Sequence, residues 1–334
     1  MSERRSSRLI WLALPGCFLV ALTGLFVPMP FHGRMPGAIG DMAHAPLFAG
    51  LTLLTLVLLQ TLRPLVTGSF PWRRRILLTV VSLFALGVLV EMVQGMIGRS
   101  AAVHDAISNG LGIIAAAAWF IAGGLESSKA RRALQLLGIV LLTSSWIGPL
   151  QVIRDCFRVH SEFPRIASFE TRMEITRWHF NRCRRSQTTE DATDGKFALR
   201  WLPQDAPHPA MTLLEVAPDW TSVDTLELDL VLRLKTPVPD PDRTWEIIVK
   251  VMDENHQDYH DDVAKHYVTL RADEPQHVVF PSSKMLNGPN DRQLDLSRIK
   301  MVSLLIDRPG PGVEVMVDHI HVTLQSDRDQ PVEN

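Results

Sequence analysis

Six polar side chains fall in three closely spaced pairs within otherwise apolar stretches of the sequence. The pairs are Asp41 with His44, Glu91 with Gln94, and Asp105 with Asn109. Residues three or four positions apart share one face of a helix, so the two members of each pair point the same way. A charged side chain inside a bilayer costs about 2.5–3.5 kcal/mol on insertion scales, so such residues usually pair, bind a ligand or react. They are therefore the first candidates for function.

Three of these residues have the types needed for acid and base chemistry. His44, oriented by Asp41, is the candidate general base, and a Glu91 kept neutral by burial is the candidate proton donor. The sequence carries no nucleophile elbow, phosphate loop or zinc motif. The pattern therefore leaves open whether the protein is an enzyme.

The remaining polar residues are candidates for binding. They are Gln94, Arg99, Asp105 and Asn109, with Arg99 as a clamp for a phosphate or a carboxylate. The structural alternative is that Arg99 pairs with Asp105 or Glu91 only to hold two helices together, as polar residues in membrane helices often do. The number of polar residues gathered at one end favours a pocket that opens outward.

Five stretches of the chain are long and apolar enough to cross a bilayer, which takes about 20 residues. They run over about Leu9–Val27, His44–Leu62, Ile76–Ile97, Ala106–Gly123 and Ala133–Ile153. The formal net charge of -2 gives no basic field for nucleic acid, which we do not expect as a partner. The sequence predicts an all-α domain of five membrane helices over residues 1–153, with the lipid bilayer as a partner.

Lys and Arg residues cluster in alternate loops of this domain. They are Arg4, Arg5 and Arg8 before the first span, Arg63, Arg73, Arg74 and Arg75 after the second, and Lys129, Arg131 and Arg132 after the fourth. Because positive loops stay in the cytoplasm, the N-terminus is predicted inside and the chain after Ile153 outside. We expect a bacterial plasma (inner) membrane protein with an extracytoplasmic or periplasmic C-terminal domain.

The order of the polar residues resembles the VanZ-like membrane family, named for a protein linked to teicoplanin resistance. The resemblance covers about residues 30–125 and rests on the string Asp41-x-x-His44, Glu91-x-x-Gln94, Arg99, Asp105-x-x-x-Asn109-x-x-Gly112. It implies a small integral membrane protein of the cell envelope with a link to glycopeptide-antibiotic resistance. Met42 stands where many relatives carry Lys, so a role of that Lys in binding an anion is not carried over.

The rest of the chain alternates apolar and polar residues with a period of two, which predicts half-buried antiparallel strands. The candidates are Phe197–Trp201, Met211–Val216, Leu226–Leu232, Ile247–Val251, Tyr267–Leu270, His277–Phe280, Lys300–Ile306 and Val313–Leu324. About nine strands predict an all-β jelly-roll sandwich over residues 165–325, after a linker at 154–164 and before a tail at 326–334. Cys156 and Cys183 lie in this predicted extracytoplasmic part, where the environment allows a disulfide bond between them.

The sandwich resembles the galactose-binding-like and carbohydrate-binding-module families. The resemblance rests on the ordered segments Phe169-Glu170, Asp194-Gly195, Trp220, Leu226-Glu227-Leu228-Asp229, Asp295-Leu296-Ser297-Arg298-Ile299 and Val317-Asp318-His319-Ile320. It implies glycan binding and a structural calcium ion held by Glu170 and Asp318, since carboxylate oxygens suit calcium. The alternative for those two residues is an exposed carboxylate at a strand end.

Aromatic residues and one polar loop are further candidates for the glycan site. The aromatic residues are Trp178, Trp201, Trp220, Trp245, Tyr259 and Tyr267, of which we expect at most two to be exposed, because such residues more often form the core. The loop carries Asp253, Glu254, His256, Asp258, His260, Asp261 and Asp262. Two interpretations stay open for it: a site for a metal or ligand, and a loop that is only solvated.

The sequence therefore supports two main functions. The first is an envelope protein that recognises a glycan or glycolipid outside the membrane. The second is a membrane-embedded enzyme that acts on a lipid-linked envelope substrate. A proton-coupled carrier is a third class, but five spans without an evident repeat argue against it.

Overall fold

A computed structural model divides the chain into two compact units, residues 1–154 and 155–334. The structure describes residues 33–96, 103–235 and 243–325. The predicted span Leu9–Val27, the candidate Arg99 and the predicted tail at 326–334 lie outside the described residues.

The first unit is helical. Its helices are α1 (Arg34–Leu62), α2 (Phe70–Met96), α3 (Val103–Gly123), α4 (Ser128–Ser144) and the start of α5 (Ile147–Glu162). Among the described residues, four helical segments are long and apolar enough to cross a membrane, and Ser128–Glu162 counts as one of them. The predicted last span falls within that segment and is interrupted at Ser145 and Trp146, where the Trp146 Nε1 group donates to the carbonyl of Met42.

Close packing of α1 against α3 depends on Gly112. A Cβ atom at this position would lie 2.1 Å from the carbonyl oxygen of Ala45, far inside contact distance. Phe48, Leu83 and Ile113 belong to the small apolar core beside this contact. The glycine therefore brings the backbones of the two helices together, as small residues do in membrane bundles.

Arg75 fixes the other end of α1. Its Nη1 atom donates to the carbonyl of Leu59 at 2.9 Å and to the carbonyl of Arg63 at 2.7 Å. These carbonyls lie at the C-terminus of the helix, where backbone acceptors lack partners within the helix. One of the predicted cytoplasmic arginines thus stabilises a helix end.

The second unit is an antiparallel β-sandwich. Its strands are β1 (Arg165–Ala167), β2 (Trp178–Asn181), β3 (Cys183–Thr188), β4 (Ala198–Pro203), β5 (Ala210–Leu213), β6 (Val223–Leu234), β7 (Trp245–Asp253), β8 (Ala264–Leu270), β9 (Pro275–Pro281), β10 (Ile299–Ile306) and β11 (Val313–Leu324). Short helices α6 (Arg172–Thr176) and α7 (Ser282–Leu286) and a 3-10 turn (Leu296–Arg298) complete it.

The strands form two sheets, with consecutive strands passing repeatedly between them as in a jelly roll. Sheet I has the order β3-β4-β11-β6-β9, with β1 beside β11, and sheet II has the order β2-β5-β10-β7-β8. Inward side chains of both sheets, such as Leu228, Val249 and Leu304, form one apolar core. The fold class predicted from the alternation is therefore confirmed. The short strands β1, β2 and β3 were not predicted.

The segment expected as a linker at 154–164 is largely helical, because α5 continues to Glu162. Its Asp155 side chain is buried and binds the buried guanidinium of Arg177 through two hydrogen bonds of 2.8 and 3.0 Å. Cys156 and Cys183 are not joined by a disulfide. The Sγ atom of Cys183 instead lies 2.9 Å from the Nε1 atom of Trp201.

Candidate functional site

The polar pairs of the first unit come together at one end of three helices. Asp41 and His44 lie in the first three turns of α1, Glu91 lies in the last two turns of α2, and Asp105 and Asn109 begin α3. Because α1, α2 and α3 run in alternating directions, the start of α1, the end of α2 and the start of α3 fall at the same end of the bundle. We call Asp41, His44, Glu91, His104, Asp105 and Asn109 the helix-end cluster.

His44 is the centre of this cluster. Its ring is buried, and its Nδ1 atom lies 3.2 Å from the Oδ1 atom of Asn109 and 3.6 Å from the Oε1 atom of Glu91. The three residues come from three different helices, so the spacing of the pairs along the sequence was informative. Asn109, rather than Asp41 as we expected, is the hydrogen-bond partner of the imidazole.

Asp41 has a different partner, which the sequence analysis missed. The Nε2 atom of His104 lies 3.2 Å from the Oδ2 atom of Asp41 and 3.3 Å from the Oδ1 atom of Asp105. His104 precedes Asp105 directly, so helical spacing of three or four residues does not connect it to the other polar residues. The His104 side chain is 63% exposed, so the cluster is not fully buried at this residue.

Most of the helix-end cluster is shielded. Glu91, Asp105 and Asn109 are buried, as is Gln94, one turn after Glu91, and the Asp41 side chain is 34% exposed. A histidine held between an amide and carboxylates provides a proton acceptor in an apolar setting, which is the arrangement that general-base catalysis requires. The carboxylate oxygens and the imidazole nitrogens of the cluster also suit a cation as ligand atoms.

A second candidate surface lies on the outer face of sheet II. The strand registers align five outward-facing side chains into one polar row across all five strands. The row runs Lys265, Lys250, Ser303, Thr212 and His179. Thr212 and Ser303 share a hydrogen bond of 2.8 Å. Ser303 and Lys250 are buried, whereas Lys265 and Thr212 are half-buried and His179 is exposed, so the row presents an ammonium, a hydroxyl and an imidazole group to solvent.

Both tyrosines of the chain flank this row. Tyr267 is 55% exposed and is paired with Ile248 in the neighbouring row, and Tyr259 is 59% exposed. The carbonyl of Tyr259 accepts a hydrogen bond of 2.6 Å from the Nζ atom of Lys250, which places it on the same face. We call the polar row with its two tyrosines the tyrosine face.

The tryptophans of the sandwich are all core residues. Trp178, Trp201, Trp220 and Trp245 are buried. The expectation that at most two of the six candidate aromatic residues are exposed is therefore confirmed, and the exposed two are Tyr259 and Tyr267.

The ammonium group of Lys250 is shielded at the centre of the tyrosine face. Burial lowers the pKa of Lys250, and the nearby charge of Lys265 lowers it further. The ammonium group of Lys250 is weakly solvated and lies near that of Lys265. This arrangement favours a ligand with oxygen acceptors, because its oxygens replace the water molecules that burial removes from the ammonium group.

The polar loop between β7 and β8 is ordered by its own carboxylates. Asp258 accepts hydrogen bonds from the backbone of His260 and Asp261, each of 2.6 Å. Asp253, which is fully buried, and Asp262 both bind the guanidinium of Arg292. These carboxylates order the backbone beside Tyr259, and a metal or ligand in this loop stays a prediction.

The two residues expected to hold calcium cap one loop. Oε1 of Glu170 accepts from the backbone of Lys196 and Phe197, and Oδ2 of Asp318 accepts from the backbone of Thr193 and Asp194. Backbone N–H groups therefore occupy one carboxylate oxygen of each residue. Burial raises the pKa of Asp318, whose Oδ1 atom has no hydrogen-bond partner among the described residues. Calcium stays a prediction.

Sheet I carries a histidine cluster that the sequence analysis did not single out. His277 lies 2.7 Å from Asp229 and 3.1 Å from Glu227, and His319 stacks on His321 with ring centroids 4.2 Å apart. His319 has a positive φ of 49° at a register shift in β11. The alternating His319 and His321 were the available signal.

No protein-family model matches the chain, and no curated protein matches its sequence. The VanZ-like resemblance and its link to antibiotic resistance therefore rest on the ordered polar residues alone.

Several solved structures are similar to the second unit. An exo-β-agarase is 18% identical over 48% of this chain and 25% of its own, with a TM-score of 0.38. A family 11 carbohydrate-binding module of a Clostridium thermocellum cellulosomal cellulase is 11% identical over 48% of this chain and 93% of its own, with a TM-score of 0.36. A xylan-binding domain of CBM 22 is 10% identical over 47% of this chain and 91% of its own, with a TM-score of 0.30.

The chain spans only a quarter of the agarase. At scores this low, the similarities carry no argument about what this chain binds.

Proposed function

We propose that the protein is an integral membrane protein of the cell envelope that binds a glycan or glycolipid through the tyrosine face of its sandwich. The observation that carries this proposal is that both tyrosines are exposed on one face of sheet II, while all four tryptophans of the sandwich are buried.

Sugar recognition needs two kinds of surface, and this face supplies both. The flat apolar face of a sugar ring stacks on an aromatic side chain, and its hydroxyls exchange hydrogen bonds with polar groups beside it. Tyr267 and Tyr259 provide the first, and the accessible members of the polar row, Lys265, Thr212 and His179, provide the second. The carboxylates of the loop preorganise Tyr259, which lowers the entropy cost of binding.

The membrane location is part of the same proposal. Four helical segments of the described chain are apolar enough to span a bilayer, and α1 at 29 residues is longer than the approximately 20 needed. Arg73, Arg74 and Arg75 begin α2 on the side that the positive-inside rule assigns to the cytoplasm. This orientation puts the sandwich outside, where envelope glycans are.

A glycan array tests the proposal with the full-length protein in detergent. We expect binding to at least one envelope-type oligosaccharide, and Tyr267→Ala should weaken it at least about fivefold, since a central aromatic contact contributes more than about 1 kcal/mol. Val279→Ala is the matched control, because Val279 is exposed on strand β9 of sheet I. Absence of binding across the array, or equal losses in both variants, would contradict the proposal.

The helix-end cluster favours a second candidate function, an enzyme acting on a lipid-linked envelope substrate. The buried imidazole of His44, with Asn109 and Glu91 at its Nδ1 atom, supplies the proton acceptor for such a reaction. Glu91 then serves as proton donor.

Two conservative variants separate catalysis from a structural role. If the cluster is catalytic, the variants His44→Gln and Glu91→Gln lose turnover of a lipid-linked saccharide in micelles. Both variants then remain monodisperse on gel filtration. If either variant turns over the substrate at the wild-type rate, the cluster is not catalytic. If both lose their native size profile, the cluster is structural.

A further inference from the structure

The helix-end cluster has the ligand types and the spacing of a metal centre. One candidate ligand atom from each of Asp41, His44 and Asp105 lies within 4.8 Å of the other two. Ligand atoms bound at about 2.0–2.2 Å to one ion are about 3–4 Å apart, so a small side-chain adjustment brings the three onto a common ion. We infer that Asp41, His44 and Asp105 bind a divalent transition-metal ion.

The hydrogen bond of His44 prepares it as a ligand. With its Nδ1–H group donating to the Oδ1 atom of Asn109, the imidazole keeps the lone pair of Nε2 for a metal. The amide turns its oxygen to His44 although its own Nδ2 atom has no hydrogen-bond partner among the described residues. Metal-binding histidines regularly have such an oxygen acceptor on the second nitrogen, which fixes the ring and its tautomer.

The two carboxylates already share one imidazole partner. The Nε2 atom of His104 lies 3.2 Å from Asp41 and 3.3 Å from Asp105, between the two groups. Two carboxylates at the end of an apolar bundle need a positive charge between them, because each alone is costly to desolvate. His104 is exposed, and its imidazole beside both carboxylates is a candidate fourth ligand for the ion.

The donor set selects the class of metal. Carboxylate oxygen and imidazole nitrogen without thiolate suit Zn²⁺, Mn²⁺ or Fe²⁺ rather than copper(I) or an iron–sulfur cluster. Calcium is disfavoured because it takes six to eight oxygen ligands, whereas the cluster offers imidazole. Zn²⁺ is the probe of choice, because it accepts a four-ligand site of mixed nitrogen and oxygen.

This inference concerns residues that also carry the second candidate function, but it does not require turnover. A purified protein that binds the ion and hydrolyses nothing supports the metal site and removes the enzyme. Turnover of the substrate by a protein that binds no metal supports the enzyme and removes the metal site.

Metal content of the full-length protein in detergent tests the site. After treatment with EDTA and equilibrium dialysis against Zn²⁺, we expect one ion per chain by mass spectrometry, and Asp41→Asn and His44→Gln should each reduce this to background. Asn109→Ala should weaken binding about 10–100-fold, as loss of an outer-shell partner usually does. His277→Gln is the control, because His277 belongs to the histidine cluster of sheet I and should leave the stoichiometry unchanged.

A second readout keeps the test valid if a variant fails to fold. Zn²⁺ should raise the thermal unfolding midpoint of the wild-type protein, since a ligand that binds only the native state stabilises it. Background metal content in the wild type, full retention of the ion in His44→Gln, or loss of the ion in His277→Gln would overturn the inference.

Discussion

The buried ion pair between Arg177 and Asp155 predicts a large and specific loss of stability. Both side chains are almost completely buried, at 2% and 4% exposure. Burial alone lowers the pKa of the Arg177 guanidinium, but its hydrogen bond and charge interaction with Asp155 outweigh burial and raise the pKa above its ordinary value. The pair joins helix α5 to the sandwich.

The expected magnitude follows from burial. Removing one partner of a buried pair leaves an uncompensated charge and costs about 3–5 kcal/mol. In a unit of this size each kcal/mol lowers the midpoint by about 2–4 °C, so Arg177→Met should lower it by about 6–20 °C. Replacing both residues, in Arg177→Met with Asp155→Leu, should restore much of the loss, because neither charge then remains buried.

Tryptophan fluorescence during heating of the full-length protein measures this prediction. The matched control is Arg298→Ala, because Arg298 pairs with Glu254 on the surface with both side chains about half exposed. An exposed pair contributes about 0–1 kcal/mol, so the control should stay within a few degrees of the wild type. If Arg177→Met lowers the midpoint no more than Arg298→Ala does, or if the double variant is worse than the single one, the reasoning is refuted.

Two further predictions concern helix packing and pH. Gly112→Ala should prevent the close approach of α3 to Ala45 and abolish a monodisperse gel-filtration peak, whereas Gly50→Ala, whose Cβ would meet no neighbouring atom within 4 Å, should behave as wild type. The hydrogen bond to Asp229 raises the pKa of His277, so this interaction stabilises the fold at low pH and is lost as pH rises through the raised value. The midpoint difference between wild type and His277→Gln should therefore be larger at pH 5.5 than at pH 9, and an equal difference at both would contradict this sign.

The sequence predicted the parts of the structure that depend on local pattern. Long apolar runs marked the four described helical segments that are long enough to cross a membrane, and two-residue alternation marked eight of the strands. Helical spacing also indicated that Glu91 and Asn109 point toward a common place, and His44 does contact both. These features follow from the periods of helix and strand alone.

Other features depend on contacts between distant segments, and no local pattern contains them. His104 was missed because it is adjacent to Asp105, and its role appears only when α1 is placed beside it. The polar row of the tyrosine face exists only in the register of five strands, and a shift of one residue would turn it inward. The positive φ of His319 likewise coincides with an irregularity in the pairing of β11 with β6.

The central claim is that a glycan lies along the tyrosine face. Methionine methyl groups report its position, because Met252 and Met301 are neighbours on the outer face of sheet II and Met316 lies on the outer face of sheet I. With full-length protein carrying labelled methionine methyl groups, a spin-labelled oligosaccharide that binds should broaden the signals of Met252 and Met301 far more than that of Met316. Stronger broadening of Met316, or equal broadening of all three, would contradict the claim.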